Sequence, residues 1–291
     1  MAVWKPDFER GLNVPFAQLK SRVLVVLVGA PLIIAIVLIG KIPFLLLTSL
    51  ILIVSLYEFY QLAQKKGAFP DVMLSIFAAL LLIWDMYFYS SQHFLPILSG
   101  FTIVVVILQL RQTKGSQIIN LATNFLGVVY LGVLLSFFIG IRELPLKFNL
   151  DYGQGGYWTL AILITIWIGD SVAYFAGSSI GKHKLAKRIS PKKTVEGAIG
   201  GFFGMLIVIF ISRFAFSLNW TLLDTLVIGI ICGTIGQISD LAESQFKRDA
   251  GVKDSSNLLP GHGGMFDRFD VLFLTPPVIY YYLAYFSSLA R

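Results

Sequence analysis

The sequence predicts an all-α polytopic integral membrane protein of about nine transmembrane helices, N-terminus cytoplasmic and C-terminus outside. Three observations carry this. Of 291 residues, 56% are hydrophobic and only 13% charged, whereas a soluble domain carries about a quarter charged residues. Several apolar stretches approach or exceed the roughly 20 residues needed to cross a bilayer core. Lysines and arginines gather in alternate connections, as the positive-inside rule requires.

Residues 1–21 are polar and mixed. Trp4, Phe8 and Phe16 stand among charges, the pattern of a surface segment with amphipathic character. Nine spans follow, at roughly 22–40, 42–63, 72–90, 93–110, 120–141, 157–180, 197–217, 221–243 and 269–289. The first follows basic residues, as a signal peptide does. Its apolar run is longer than a typical signal core and no small-x-small cleavage site follows, so it is expected to stay as a helix. The chain thus divides into the surface segment 1–21, five N-terminal spans within 22–150, and a C-terminal region 151–291 of four spans.

Loop charge gives the orientation. With the N-terminus inside, the cytoplasmic segments hold Lys5, Arg10, Lys20, Arg22, Lys65, Lys66, Arg111 and Lys114. The loop after span six adds Lys182, Lys184, Lys187, Arg188, Lys192 and Lys193, and the loop after span eight adds Lys247, Arg248, Lys253 and Arg268. Outside stand Lys41, Arg142, Lys147, Arg213 and Arg291. Both motif-rich loops, 181–196 and 244–268, therefore face the cytoplasm, where nucleotides are available. A net charge of +7 suits anionic partners such as acidic lipid headgroups and nucleotides, and topology accounts for most of it. No nucleic-acid partner is expected. The single cysteine, Cys232, excludes an intramolecular disulfide and a thiolate metal site.

Small-xxx-small pairs recur in the later spans: Gly197 with Gly201, Gly200 with Gly204, and Gly229 with Gly233. They predict close helix packing or a homodimer through these helices.

The residues able to do chemistry concentrate near the cytoplasmic face. Asp240 lies at the end of span eight, with Glu243 at i+3 on the same helix face. Asp267 and Asp270 repeat that spacing at the start of span nine, where they also suit a helix N-terminus. Antiparallel neighbouring helices would bring Asp240 and Asp267 to one membrane depth. Hard divalent cations such as Mg²⁺ take such carboxylate oxygens and bridge to phosphates. Asp170 is deeper, and an intramembrane carboxylate usually faces a polar cavity. Glu58 and Asp85 have no motif around them, and a structural role is expected for both. The basic loop contains Ser190, Lys192, Lys193, Thr194 and Glu196, hydroxyls and a carboxylate among cations, next to a helix start. Such a set can hold phosphates as well as contact anionic lipid. It is no P-loop: three residues, not four, separate Gly177 from Gly181, and His183 follows Lys182. His262 stands among Gly261, Gly263 and Gly264, which allow close backbone approach to a ligand.

The run from Ser244 to Asp270 resembles the signature of the phosphatidate cytidylyltransferases, the CDP-diacylglycerol synthases. Ser244-x-x-Lys247-Arg248 is followed by Lys253-Asp254 and by His262-Gly263-Gly264-x-x-Asp267-Arg268-x-Asp270. The likeness extends upstream to the Asp170 segment and to Ser190–Gly197 and covers the chain from about 157 on. Ser239 stands where the pattern has glycine and Val195 where it has an aromatic; neither change removes a charge. The resemblance implies that CTP and phosphatidic acid give CDP-diacylglycerol and pyrophosphate in phospholipid biosynthesis. It implies Asp240 and Asp267 as ligands of a two-cation centre, Mg²⁺ with a second cation, and Asp170, Glu243 and Asp270 as further or supporting ligands. Lys247, Arg248 and Arg268 would act on the phosphates, with Lys192, Lys193 and Lys253 as anchors. Asp254, Ser190, Thr194, Glu196, His262, Gly263 and Gly264 would complete the substrate site. The protein would sit in the cell or inner membrane with the site facing the cytoplasm. The other readings are a CTP-dependent polyprenol or phytol-type lipid kinase, which would release CDP, and a transporter using Asp170, Glu58 and Asp85. The full signature disfavours the first. The crowding of ionisable groups at one face disfavours the second.

Overall fold

The structure is a computed structural model that describes residues 16–258 and 263–290, with side chains from residue 27 on. Most of the surface segment 1–21, together with His262, lies outside the described residues. Among the described residues, ten α-helices run in order: α1 Phe16–Ile39, α2 Lys41–Gln64, α3 Val72–Tyr89, α4 Phe94–Gln109, α5 Gln117–Gly127, α6 Leu134–Glu143, α7 Tyr152–Ile180, α8 Val195–Ala215, α9 Leu222–Asp249 and α10 Val271–Tyr285. A π-helical turn, Val128–Val133, joins α5 to α6, so Gln117–Phe148 reads as one span.

Among the described residues, six helices are long and apolar enough to cross a membrane: α2, α3, the α5–α6 composite, α7, α8 and α9. α4, α10 and residues 27–39 of α1 are apolar but shorter. The chain is therefore an all-α polytopic membrane protein. One departure is small: the basic loop is not wholly irregular but folds as a hairpin, β1 Lys184–Ala186 antiparallel to β2 Ser190–Thr194.

Helix starts are written locally. Asp71 accepts the Leu74 amide (3.0 Å) at α3, and Asp151 accepts that of Gly153 (2.7 Å) at α7. Thr194 accepts the Gly197 amide (3.1 Å) at α8. At α9, Thr221 and Asp224 form a reciprocal capping box. Each satisfies an orphan amide that the membrane interface would leave costly.

The inner faces of α2, α6, α7, α9 and α10 meet in a core that includes Phe44, Leu56, Phe138, Trp158, Trp220 and Phe273. The outer faces expose Leu46, Phe77, Ile103, Phe203 and Ile211, as lipid contact demands. The glycine pairs serve packing inside the chain. Gly201 and Gly204 meet Ala173 and Val172 of α7, and Gly229 and Gly233 meet Leu206 and Phe202 of α8. Arg142 is fully buried. Its Nε donates to Val37 O (2.9 Å), Nη2 to Leu38 O (3.2 Å) and Nη1 to Tyr152 O (2.9 Å), which joins the end of α1 to the start of α7.

Candidate active site

A cavity of about 1030 Å³ opens where α1, α7, α8 and α9 meet the loop before α10. Gly29, Ala30 and Ile33 give one apolar wall, and Trp167 and Tyr174 of α7 another. Asp170, Lys192, Lys193, Thr194, Asp240, Asp267, Arg268 and Asp270 supply its polar surface. The mixture suits a ligand with a charged head and an apolar body.

α9 and α10 build the acidic part. The buried Ser239 hydroxyl donates to the Asp270 carbonyl (2.5 Å), and Gly236 lets α10 approach at Val271. Asp270 is thereby brought beside the Asp240–Glu243 turn. Oxygens of Asp240, Glu243 and Asp270 lie within 4.8 Å of one another. Lys193 from β2 reaches across to pair with Asp240.

Asp267 lines the same cavity but turns its carboxylate to other partners. It accepts from the Lys247 ammonium (2.8 Å), the Gly264 amide (2.7 Å), and the amide and hydroxyl of Ser255 (both 3.0 Å). Burial works against its ionisation. Hydrogen bonds with Glu243, Lys247 and Gly264, and the Lys247 charge, outweigh burial and hold its pKa at about 2. Gly263 has a φ of +81°, and a Cβ there would press on Asp267, so the glycine permits this turn.

Two cations expected at phosphates have protein partners. Lys247, with a side chain 12% exposed, lies between Glu243 and Asp267 at 2.8 Å from each. Arg248 donates to Ile189 O in the hairpin (3.1 Å) and to Val252 O (2.8 Å), tying the two motif loops together. Glu196 accepts the amides of Lys182 (3.0 Å) and His183 (3.2 Å) and pairs with the His183 ring (2.6 Å), which closes the base of the hairpin. Ser190 lies on β2. Lys253 and Asp254 are exposed on the loop after α9, outside the cavity wall among the described residues. Asp85 pairs with His93 (2.6 Å) at the end of α3. Of the three acids a transporter would use, only Asp170 lines the cavity.

The sequence reading missed Ser239 and Ser255, and gave Glu58 no site. Serine among charged neighbours carries no signal without its partner. Glu58 did carry one, a carboxylate inside an apolar span.

Residues 20–286 match the cytidylyltransferase family. The chain is 35% identical to the phosphatidate cytidylyltransferase of Bacillus subtilis (strain 168), over 93% of this chain and 99% of that protein. It is 31% identical to the phosphatidate cytidylyltransferase of Staphylococcus haemolyticus (90% and 97%). Identity to that of Synechocystis sp. is 29% (90% and 96%).

Proposed function

The chain belongs to the cytidylyltransferase family, and from that premise we infer that it joins CTP to phosphatidic acid, forming CDP-diacylglycerol and pyrophosphate. The observation that carries this reading is a cavity in which carboxylates and lysines converge beside apolar walls. Phosphatidic acid keeps its acyl chains in lipid, so its headgroup must enter from the side. CTP arrives from water. A phosphatidate oxygen attacks the α-phosphorus, a new P–O bond forms, and the bond to the β-phosphate breaks to release pyrophosphate. Such chemistry needs alignment and charge neutralisation more than a covalent intermediate.

In this reading Lys192, Lys193 and Arg268 receive phosphates at the cavity wall, with Lys253 and His262 added from the adjoining loop. Lys247 and Arg248 instead brace the site: they are not among the residues lining the cavity, and their donors face carboxylates and carbonyls behind it. The Asp240, Glu243 and Asp270 oxygens are hard donors at a spacing that suits Mg²⁺, with Asp267 and Asp170 beside them. A bound divalent cation would supply neutralisation of phosphate charge. Ser190, Thr194, Glu196, Asp254 and the 263–264 glycines shape the loops that close on the substrates.

The test is incubation of purified protein with CTP, Mg²⁺ and phosphatidic acid. CDP-diacylglycerol and pyrophosphate are expected; CDP with a phosphorylated lipid alcohol would instead mark a kinase.

The acidic cluster predicts how cation binding varies with pH. Cation and proton compete for the same carboxylate oxygens. Mn²⁺ binding to the protein alone, followed by electron paramagnetic resonance, should weaken as pH falls toward about 4, where carboxylates take up protons. Affinity that stays flat over that fall would remove the Asp240, Glu243 and Asp270 cluster as the cation site.

We propose nine spans, the N-terminus in the cytoplasm, and a cytoplasmic site in the cell membrane. The support is the segregation of Lys and Arg. Lys184→Cys and Asp249→Cys should react with an impermeant thiol reagent only from the cytoplasmic side, and Lys147→Cys only from outside. Cys232 is buried and should stay silent. Labelling of Asp249→Cys from outside in intact cells would overturn the span count. A homodimer would have to form on surfaces other than the α7–α8–α9 glycine contacts.

A further inference from the structure

We propose that Glu58 of α2 is a positioning residue for the transfer reaction, one that sets the catalytic loop from the opposite half of the chain. The inference rests on the cytidylyltransferase reading above.

Glu58 is 2% exposed. A buried carboxylate is costly unless it is fully hydrogen-bonded. Among the described residues, its hydrogen bonds all come from one place, the loop between α9 and α10. Oε2 accepts from the Ser255 hydroxyl (2.9 Å) and the Phe266 amide (2.8 Å). Oε1 accepts from the Ser256 hydroxyl (2.5 Å) and the Met265 amide (3.2 Å). These donors stand on both limbs of the loop, 255–256 and 265–266. One side chain therefore ties the two limbs of the loop together.

The next residues along are Asp267 and Arg268, both on the cavity wall. Ser255 lies between the two carboxylates: its single hydroxyl hydrogen is shared by Glu58 Oε2 (2.9 Å) and Asp267 Oδ2 (3.0 Å), and its amide donates to Asp267 alone. Gly264 shows how tight the grip is: a side chain there would collide with Ser255 Oγ and the Glu58 carboxylate. Phe59 packs on Phe246 and Phe266 at 5.6 and 6.1 Å between ring centroids, so α2 has an apolar seat beside the polar one. That seat keeps α2 in place when the carboxylate is altered. The loop then loses its setting without losing its neighbours.

The expected signature is kinetic. Glu58→Gln keeps the shape but turns an amide NH₂ toward donors. A loop displaced by about 1 Å costs around a hundredfold in rate. Thus kcat should fall 30- to 100-fold, while KM for phosphatidic acid changes less than threefold, because the apolar walls on α1 and α7 are untouched. Glu58→Asp, which keeps the charge on a shorter arm, should recover part of kcat. Activity is expressed per folded molecule, counted by size-exclusion chromatography in detergent. If Glu58→Gln does not fold, Ser256→Ala, which removes one donor, must still lower kcat three- to tenfold at unchanged KM. The inference is overturned if kcat per folded molecule stays within twofold of wild type in whichever variant folds, or if KM rises alone. A wild type that makes no CDP-diacylglycerol would instead sink the functional reading itself.

Discussion

Asp240→Asn should leave the protein folded and lower CDP-diacylglycerol formation by at least a hundredfold, about 2.7 kcal/mol of transition-state stabilisation. The amide matches the carboxylate in shape, and Asp240 is only half-buried, so the helix has little reason to change. What goes is a charge, at the point where Glu243 and Asp270 come within 4.8 Å and Lys193 crosses from the hairpin. In the proposed site a neutral group there would weaken the hold on a divalent cation, and it leaves Lys193 without its carboxylate partner. Steady-state assays at saturating Mg²⁺ with both substrates would measure it. Retention of more than a tenth of wild-type kcat would remove Asp240 from the essential set.

Lys247→Met should act on stability first. The ammonium lies between Glu243 and Asp267, and its removal leaves two buried carboxylates facing each other. Breaking a buried ion pair by deleting one partner costs about 3–5 kcal/mol, because the remaining charge is uncompensated. The variant should unfold at markedly lower temperature in detergent and lose activity with its fold. If instead stability is unchanged and KM for CTP rises tenfold or more, Lys247 is a phosphate anchor and not a brace.

Those two residues also mark how far the sequence could be read. Asp240 with Glu243 was legible because helical spacing is a local property. The spans were legible for the same reason: an apolar run needs no partner to be recognised. Each of the nine predicted segments contains a helix, although six of those helices have spanning length and composition. Asp270 joined the Asp240 cluster ahead of Asp267 because the register of α10 against α9 depends on Ser239 and Gly236, which look unremarkable in sequence. Lys247 and Arg248 read as free cations since burial is not written in their neighbours. The hairpin at 184–194 was hidden by its charge, and Glu58 by the 197 residues that separate it from Ser255.

The Arg142 contacts on the opposite rim bear on how a two-tailed lipid gets in. Three backbone carbonyls from the end of α1 and the start of α7 share one guanidinium, so those ends form a pivot. Gly29, on the cavity wall, lies eight residues from Val37, about 12 Å along the helix at 1.5 Å per residue. A rod held at one end moves most at the other. Tilting of α1 about this pivot would widen the gap next to α7 at the headgroup level and hardly disturb the far leaflet. The phosphatidate headgroup would then pass through a wedge-shaped slit while its two acyl chains stay in the bilayer.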